Sequence, residues 1–153
     1  MRVRGFEFVK PELRKTLGKI TLPTRGSKYS AGYDLYSPIS VIIFPGKTQF
    51  IWTDIKAYMQ DDEVLLTHIR SSIAIKKGLT LANFTGIIDK DYYSNIKNDG
   101  NIGVCLRNNT DEPVGIDEGE RVAQAIFTKY LISDNGNVDD KREGGIGSTD
   151  DWL

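Results

Sequence analysis

The chain has 153 residues, enough for one domain that buries most of the surface its unfolded form exposes, with no need of a second. Lys plus Arg number 20 against 21 for Asp plus Glu, a net charge of -1, so there is no overall basic field and no stable nucleic-acid binding is expected. A small anionic substrate is still compatible with this balance, because a local cluster can do what the whole surface does not.

The opening stretch "MRVRGFEFVK" is charged and carries no apolar run long enough for a signal peptide, and no window approaches the ~18 apolar residues of a membrane span. The expectation is a soluble protein of the cytoplasm or another intracellular setting, nuclear or within a host cell if viral, with no membrane partner. Strand-like runs follow one another: "RVRGFEFV", "SVIIFP", "TQFIWTDIKAYM", "VLLTHI", "LTLANFTGIID", "IGVCLRNN", "PVGI" and "RVAQAIFTKYL". They are short, rich in Val, Ile, Phe, Tyr and Thr, and bounded by Pro38, Pro45-Gly46, Lys77-Gly78, Asp99-Gly100 and "NNTDEP", where Gly, Pro and Asn reverse a chain readily. An all-β sandwich or barrel of jelly-roll type is predicted. Ile55, Tyr58 and Met59 sketch a helical stripe over 54–60, too short to outweigh the strand pattern.

After residue 132 the composition changes. "SDNGNVDDKREGG" contains one aliphatic side chain, Val138, and predicts an arm over 133–153 that leaves a packed body spanning 1–132. The arm ends in "REGGIGSTDDWL", whose glycines lose much freedom on ordering and so call for something that holds them. These glycines lack the strand before and helix after that a Walker loop or dinucleotide fingerprint requires. One histidine and one cysteine cannot build a classical zinc site; His68, in an apolar run, reads as structural, and Cys105 as a small apolar strand residue.

Five stretches place polar groups where a β core does not need them. In "AGYDL", Asp34 reads either as a turn aspartate bonding its own backbone or as a carboxylate orienting water around a metal ion. In "RSSIAIKKG", Arg70, Ser71 and Ser72 follow an apolar strand; the guanidinium fork and the hydroxyls suit phosphate oxygens, and equally an arginine paired to a surface acid. In "NFTGIIDKDYY", Ile87 and Ile88 read as a buried strand that delivers Asp89 to a cleft edge, where it can hold and deprotonate a water. Tyr92 can lie flat against a sugar, and Asn83 with the backbone from Gly86 to Ile88 can read a base edge; the alternative is a hairpin whose acids face solvent. In "GERVAQAIF", Gln124 is an amide where burial is expected to continue, and it requires partners. The fifth stretch is the arm, with Arg142, Ile146, Gly147, Ser148 and Thr149.

In this order and spacing, from Ala31 to Thr149, the five stretches resemble the five motifs of the trimeric deoxyuridine triphosphatase (dUTPase) family. The resemblance implies the family's β-clip fold with a mobile C-terminal arm. It implies hydrolysis of dUTP to dUMP and pyrophosphate by water attack on the α-phosphorus, which limits uracil incorporation into DNA and supplies dUMP for thymidylate synthesis. It further implies Mg2+ as cofactor and a homotrimer whose active sites are shared between subunits. Asp89 matches the water-activating carboxylate. Tyr92 matches the ring that packs on deoxyribose and rejects UTP, while Asn83, Gly86, Ile87 and Ile88 match the uracil reader. Arg70, Ser71, Ser72 and Gln124 match phosphate contacts, and Asp34 a carboxylate near the metal with no direct protein ligand implied. Arg142, Ile146, Gly147, Ser148 and Thr149 match the arm that crosses to another subunit.

The chain departs from the family pattern at a few places. Ile146 stands where most members carry a phenylalanine on uracil, with Trp152 as a candidate substitute. Ser94 and Asp150 stand where glycine is usual, and "SNIKNDGN" lengthens a turn. Two alternatives share the fold: a nonenzymatic trimeric nucleotide-binding or regulatory protein, and a dCTP deaminase. The intact Asp89, Tyr92 and phosphate donors speak against the first, and no base-side acidic or hydroxyl signature speaks for the second.

Overall fold

A computed structural model describes residues 1–136, 142 and 144–146. Twelve strands and one short helix succeed one another: β1 (Gly5–Phe8), β2 (Thr24–Arg25), β3 (Tyr33–Tyr36), β4 (Val41–Ile43), β5 (Thr48–Trp52), β6 (Ile55–Tyr58), β7 (Glu63–Ile69), α1 (Ser71–Lys77), β8 (Leu79–Leu81), β9 (Gly86–Ile88), β10 (Gly103–Asn108), β11 (Val114–Ile116) and β12 (Arg121–Lys129). The largest sheet has the order β2-β3-β12-β7-β9; β5-β10-β8 form a second sheet, and β1-β6 and β4-β11 pair as ribbons. All the pairings are antiparallel. This is the predicted all-β, jelly-roll-like architecture.

The alternation of side chains across each strand fills the space between the sheets. Leu35, Ile43, Ile51, Leu65, Leu79, Leu106, Ile116 and Val122 are almost wholly shielded, each stabilising the fold by roughly 2 kcal/mol over an exposed counterpart. Phe6, Tyr33 and Phe127 lock β1, β3 and β12 together, with ring centroids 5.3 to 6.0 Å apart.

Several expectations are refined. The run from Thr48 to Met59 is two strands, because Asp54 turns the chain in the left-handed region (φ 57°); the faint helical stripe there is strand β6, paired to β1. Residues after Arg70 form helix α1, an element absent from the strand-like reading of the chain. It buries Ile73, leaves Ile75 to solvent, and is closed by Gly78 (φ 67°), whose N–H donates to the Ala74 carbonyl at 3.1 Å.

Two buried acids tie distant turns into the body. Asp54, with no exposed surface, accepts from Lys15 N (2.8 Å), Thr16 N (3.0 Å), Thr16 Oγ1 (2.7 Å) and Asn101 Nδ2 (2.7 Å). Asp99, at φ 61°, accepts from Lys56 Nζ at 2.9 Å and Lys10 N at 2.9 Å. Asp54 is satisfied by several donors, the condition for holding a carboxylate away from water, whereas Asp99 has both its partners on Oδ2 and its buried Oδ1 has none among the described residues. The 94–101 turn is thereby anchored, and its neighbour Tyr92 inherits that anchoring.

Candidate active site

Strand β9 is the outer strand of the largest sheet, held to β7 by the register Thr67↔Gly86, Leu66↔Ile87 and Leu65↔Ile88. A side chain at 86 is excluded: a Cβ there comes within 2.1 Å of Thr67 Oγ1, so only glycine lets β9 lie this close. The strand is not the buried one expected. Gly86 is buried, but Ile87 is 65% exposed, because an outer strand turns alternate side chains away from the core. Among the described residues no strand pairs with its outer edge, which leaves backbone donors and acceptors there.

Beyond Ile88 the chain tightens into a single 3-10 turn, Lys90–Tyr92, with Asp89 at its entry and Tyr92 N donating to the Asp89 carbonyl at 3.1 Å. The turn brings carboxylate and phenol to one rim of a cavity of about 460 Å³, which Asn83, Gly86, Ile87 and Ile88 also line. Phe50, Trp52 and Cys105, from β5 and β10, form part of its lining as well. Neither the two aromatic rings nor Thr67, another lining residue, had a sequence signal beyond apolar or strand patterning. Burial raises the Tyr92 phenol above its ordinary value, against the Asn98 amide and the Arg142 charge, which lower it.

The arm reaches this cavity. Arg142 donates through Nη2 to Asp89 Oδ2 and through Nε to Asp91 Oδ1 at 3.0 Å, spanning two acids of one turn. Gly145 rests on the tyrosine, a Cβ there falling 2.8 Å from Tyr92 Cε1, and Ile146 lines the cavity while remaining 85% exposed. In this structure the arm meets the cavity of its own chain, whereas the resemblance implies a crossing to another subunit. The expectations for Gly147, Ser148, Thr149, Asp150 and Trp152 lie outside the described residues.

The other predicted residues gather elsewhere. Asp34 sits inside β3, so it is no turn aspartate. It is 8% exposed, with Arg70 Nε 2.9 Å from Oδ1 and Arg121 Nη1 3.5 Å from Oδ2. Arg70 Nη1 also donates to Ser72 Oγ at 3.3 Å. Gln124 lies opposite both Asp34 and His68 in the sheet, and its amide finds the Ile69 carbonyl at 3.3 Å. Arg70, Ser72, Lys76, Lys77 and Arg121 line a second, cationic depression. Arg121 joins it by way of Asp34. Among the described residues, none of this second group lines the Asp89 cavity.

The dUTPase family model matches residues 18–150. The deoxyuridine 5'-triphosphate nucleotidohydrolase of Lactococcus lactis is 46% identical over 151 residues, covering 97% of this chain and 99% of that protein. The chain belongs to the dUTPase family. The variola virus dUTPase is 36% identical over 143 residues, covering 88% of this chain and 89% of that protein. The crystal structure of the dUTPase from Streptococcus mutans superposes with a TM-score of 0.76 at 40% identity, covering 86% of this chain and 99% of that one. The dUTPase of phage phi11 of S. aureus, a structure described as coordinating a structural Mg(II) ion, shares the fold at 21% identity with a TM-score of 0.71.

Among the described residues no three Asp, Glu, His or Cys side chains converge to hold a metal ion. No helix among the described residues is long and apolar enough to cross a membrane.

Proposed function

We propose that this dUTPase-family protein hydrolyses dUTP to dUMP and pyrophosphate, with Asp89 as the base. The observation that carries the reading is the Asp89–Tyr92 turn, which places a carboxylate and a ring on the rim of a cavity beside the free edge of β9. Uracil's edge meets Asn83 and the backbone of Gly86 to Ile88, and deoxyribose lies against Tyr92. Asp89 takes a proton from a water as its oxygen bonds to the α-phosphorus; the bond from that phosphorus to the bridging oxygen breaks, and pyrophosphate leaves. Arg142, which pairs with Asp89 here, exchanges that carboxylate for phosphate oxygens when substrate arrives, freeing the base.

The second group supplies phosphate contacts: Arg70, Ser71, Ser72 and Gln124, with Asp34 aiming Arg70. Asp34 would be the carboxylate on the side of a bound Mg2+, which would supply charge neutralisation of the triphosphate. Since the two groups lie apart in one chain, we assign them to sites completed in a homotrimer, each site drawing its base-and-sugar wall and its phosphate wall from different copies. The arm, residues 133–153, then covers a neighbour's cavity by the exchange of identical segments between subunits, with Gly147, Ser148 and Thr149 at the phosphates and Ile146 over the base.

The test is pyrophosphate release from dUTP, UTP, dCTP and dTTP with Mg2+. A strong preference for dUTP is expected; equal rates on all four, or none, overturn the reading.

A further inference from the structure

Tyr92 is held more firmly than a ring lying against a sugar requires. Its hydroxyl donates to the Asn101 carbonyl and accepts from Asn98 Nδ2 at 2.9 Å, while its own carbonyl accepts from Asn95 Nδ2 at 2.7 Å. Behind it stands a chain of fixed groups. Asn101 is wholly buried; its Oδ1 accepts from Asp54 N at 2.9 Å and its Nδ2 donates to Asp54 Oδ1 at 2.7 Å. The turn that carries Asn98 is pinned by the Lys56–Asp99 pair at 2.9 Å.

Asn98 is the adjustable member of this set. Its Oδ1 accepts from Gly100 N at 3.0 Å and Asn95 Nδ2 at 2.7 Å, so the amide cannot flip without losing both bonds, and Nδ2 is committed to the phenol. A hydroxyl that both donates and accepts within a rigid frame fixes the ring's direction, not merely its depth. Gly145 passes over this pair, a Cβ there falling 3.3 Å from the Tyr92 oxygen and 3.5 Å from Asn98 Nδ2, so the arm seats on the tyrosine and amide together.

We propose that Asn98 is a positioning residue for sugar discrimination: by holding the Tyr92 hydroxyl it sets the ring where a 2'-hydroxyl does not fit. The inference rests on the proposed dUTP hydrolysis with Tyr92 against the sugar. It acts through Tyr92 and needs no contact of Asn98 with substrate.

The test compares kcat/KM for dUTP and UTP in the intact protein, Asn98→Ala, Asn98→Asp, Tyr92→Phe and the double variant Asn98→Ala/Tyr92→Phe. Asn98→Asp keeps the acceptor for Gly100 and Asn95 and removes the donor to the phenol, so it answers the question if the alanine variant folds poorly. The loss of one buried hydrogen bond predicts about a tenfold fall in the dUTP-to-UTP preference for either single Asn98 variant, with UTP gaining. The dUTP-to-UTP preference of the double variant is expected to match that of Tyr92→Phe, since without the hydroxyl Asn98 holds only Gly100 and Asn95 and no longer the ring. General loosening lowers both substrates together and leaves their ratio alone. An unchanged ratio in folded Asn98 variants, or effects that add to Tyr92→Phe, overturn the positioning role while leaving the activity standing. An intact protein that releases no pyrophosphate from dUTP, or shows no preference for it over UTP, overturns both.

Discussion

The wall around Asp89 and Tyr92 and the cationic face around Asp34 and Arg70 are built differently. The first is assembled within a short span of chain, where a strand, a 3-10 turn and the anchored 94–101 turn deliver carboxylate, ring and amides together. The second collects single residues from β3, the end of β7, α1 and β12, joined across the sheet by the Asp34–Arg70 pair. The first grouping is thus local in the chain, and the second depends on sheet pairing.

The largest effect that tests this contrast is expected from the first wall. Asp89→Asn keeps the shape and removes the base, and kcat for dUTP is expected to fall by about 10³-fold with little change in KM. A loss confined to KM would place Asp89 in binding alone. The second wall is expected to cost less: Arg70→Ala, which removes a donor and leaves Asp34 without its nearer partner, should lower kcat/KM about 10²-fold.

Mixing those two inactive variants sharpens the comparison most. If the walls belong to different copies, trimers reassembled from equal amounts regain about a quarter of the intact activity, because that share of sites pairs a sound wall with a sound wall. No recovery after verified subunit exchange means that one chain supplies both.

Smaller effects probe the anchoring. Lys56→Ala leaves Asp99 buried without its cation and should cost about 3 kcal/mol in urea unfolding. An equivalent truncation at the exposed Lys129–Asp62 pair should cost under about 1 kcal/mol. The smallest effect concerns the Tyr92 phenol, whose value is raised in the folded state by burial. The protonated form is therefore favoured by folding, so this contribution is complete below the unfolded tyrosine value near ~10 and is lost as pH rises through the folded one. Melting temperature should decline more steeply above about pH 10 in the intact protein than in Tyr92→Phe.

Much of this was legible in residue order. Short β-branched runs between turn residues announced the sheets, and the spacing of Asp89 and Tyr92 survived as one turn because it is local. Arg142 meets Asp89 of its own chain, a pairing that residue order does not announce. The helix at Ser71–Lys77 was missed because Ile73 and Ile75 alternate as a strand would, and only packing decides that one is buried and the other is not. Ile87 was read as buried because two adjacent isoleucines do not say whether their strand lies in the middle of a sheet or at its edge.

By itself the sequence determined which chemical groups exist and the face each strand residue takes, since a period of two follows from backbone geometry alone. Tertiary structure alone decided the partners. Asp54 meets Asn101 across 47 positions and Asp34 lies beside Arg70, pairings that arise from sheet order and register and leave no mark in local periodicity. Whether a carboxylate ends as a base at a rim or as a buried anchor depends on how many donors the fold brings to it.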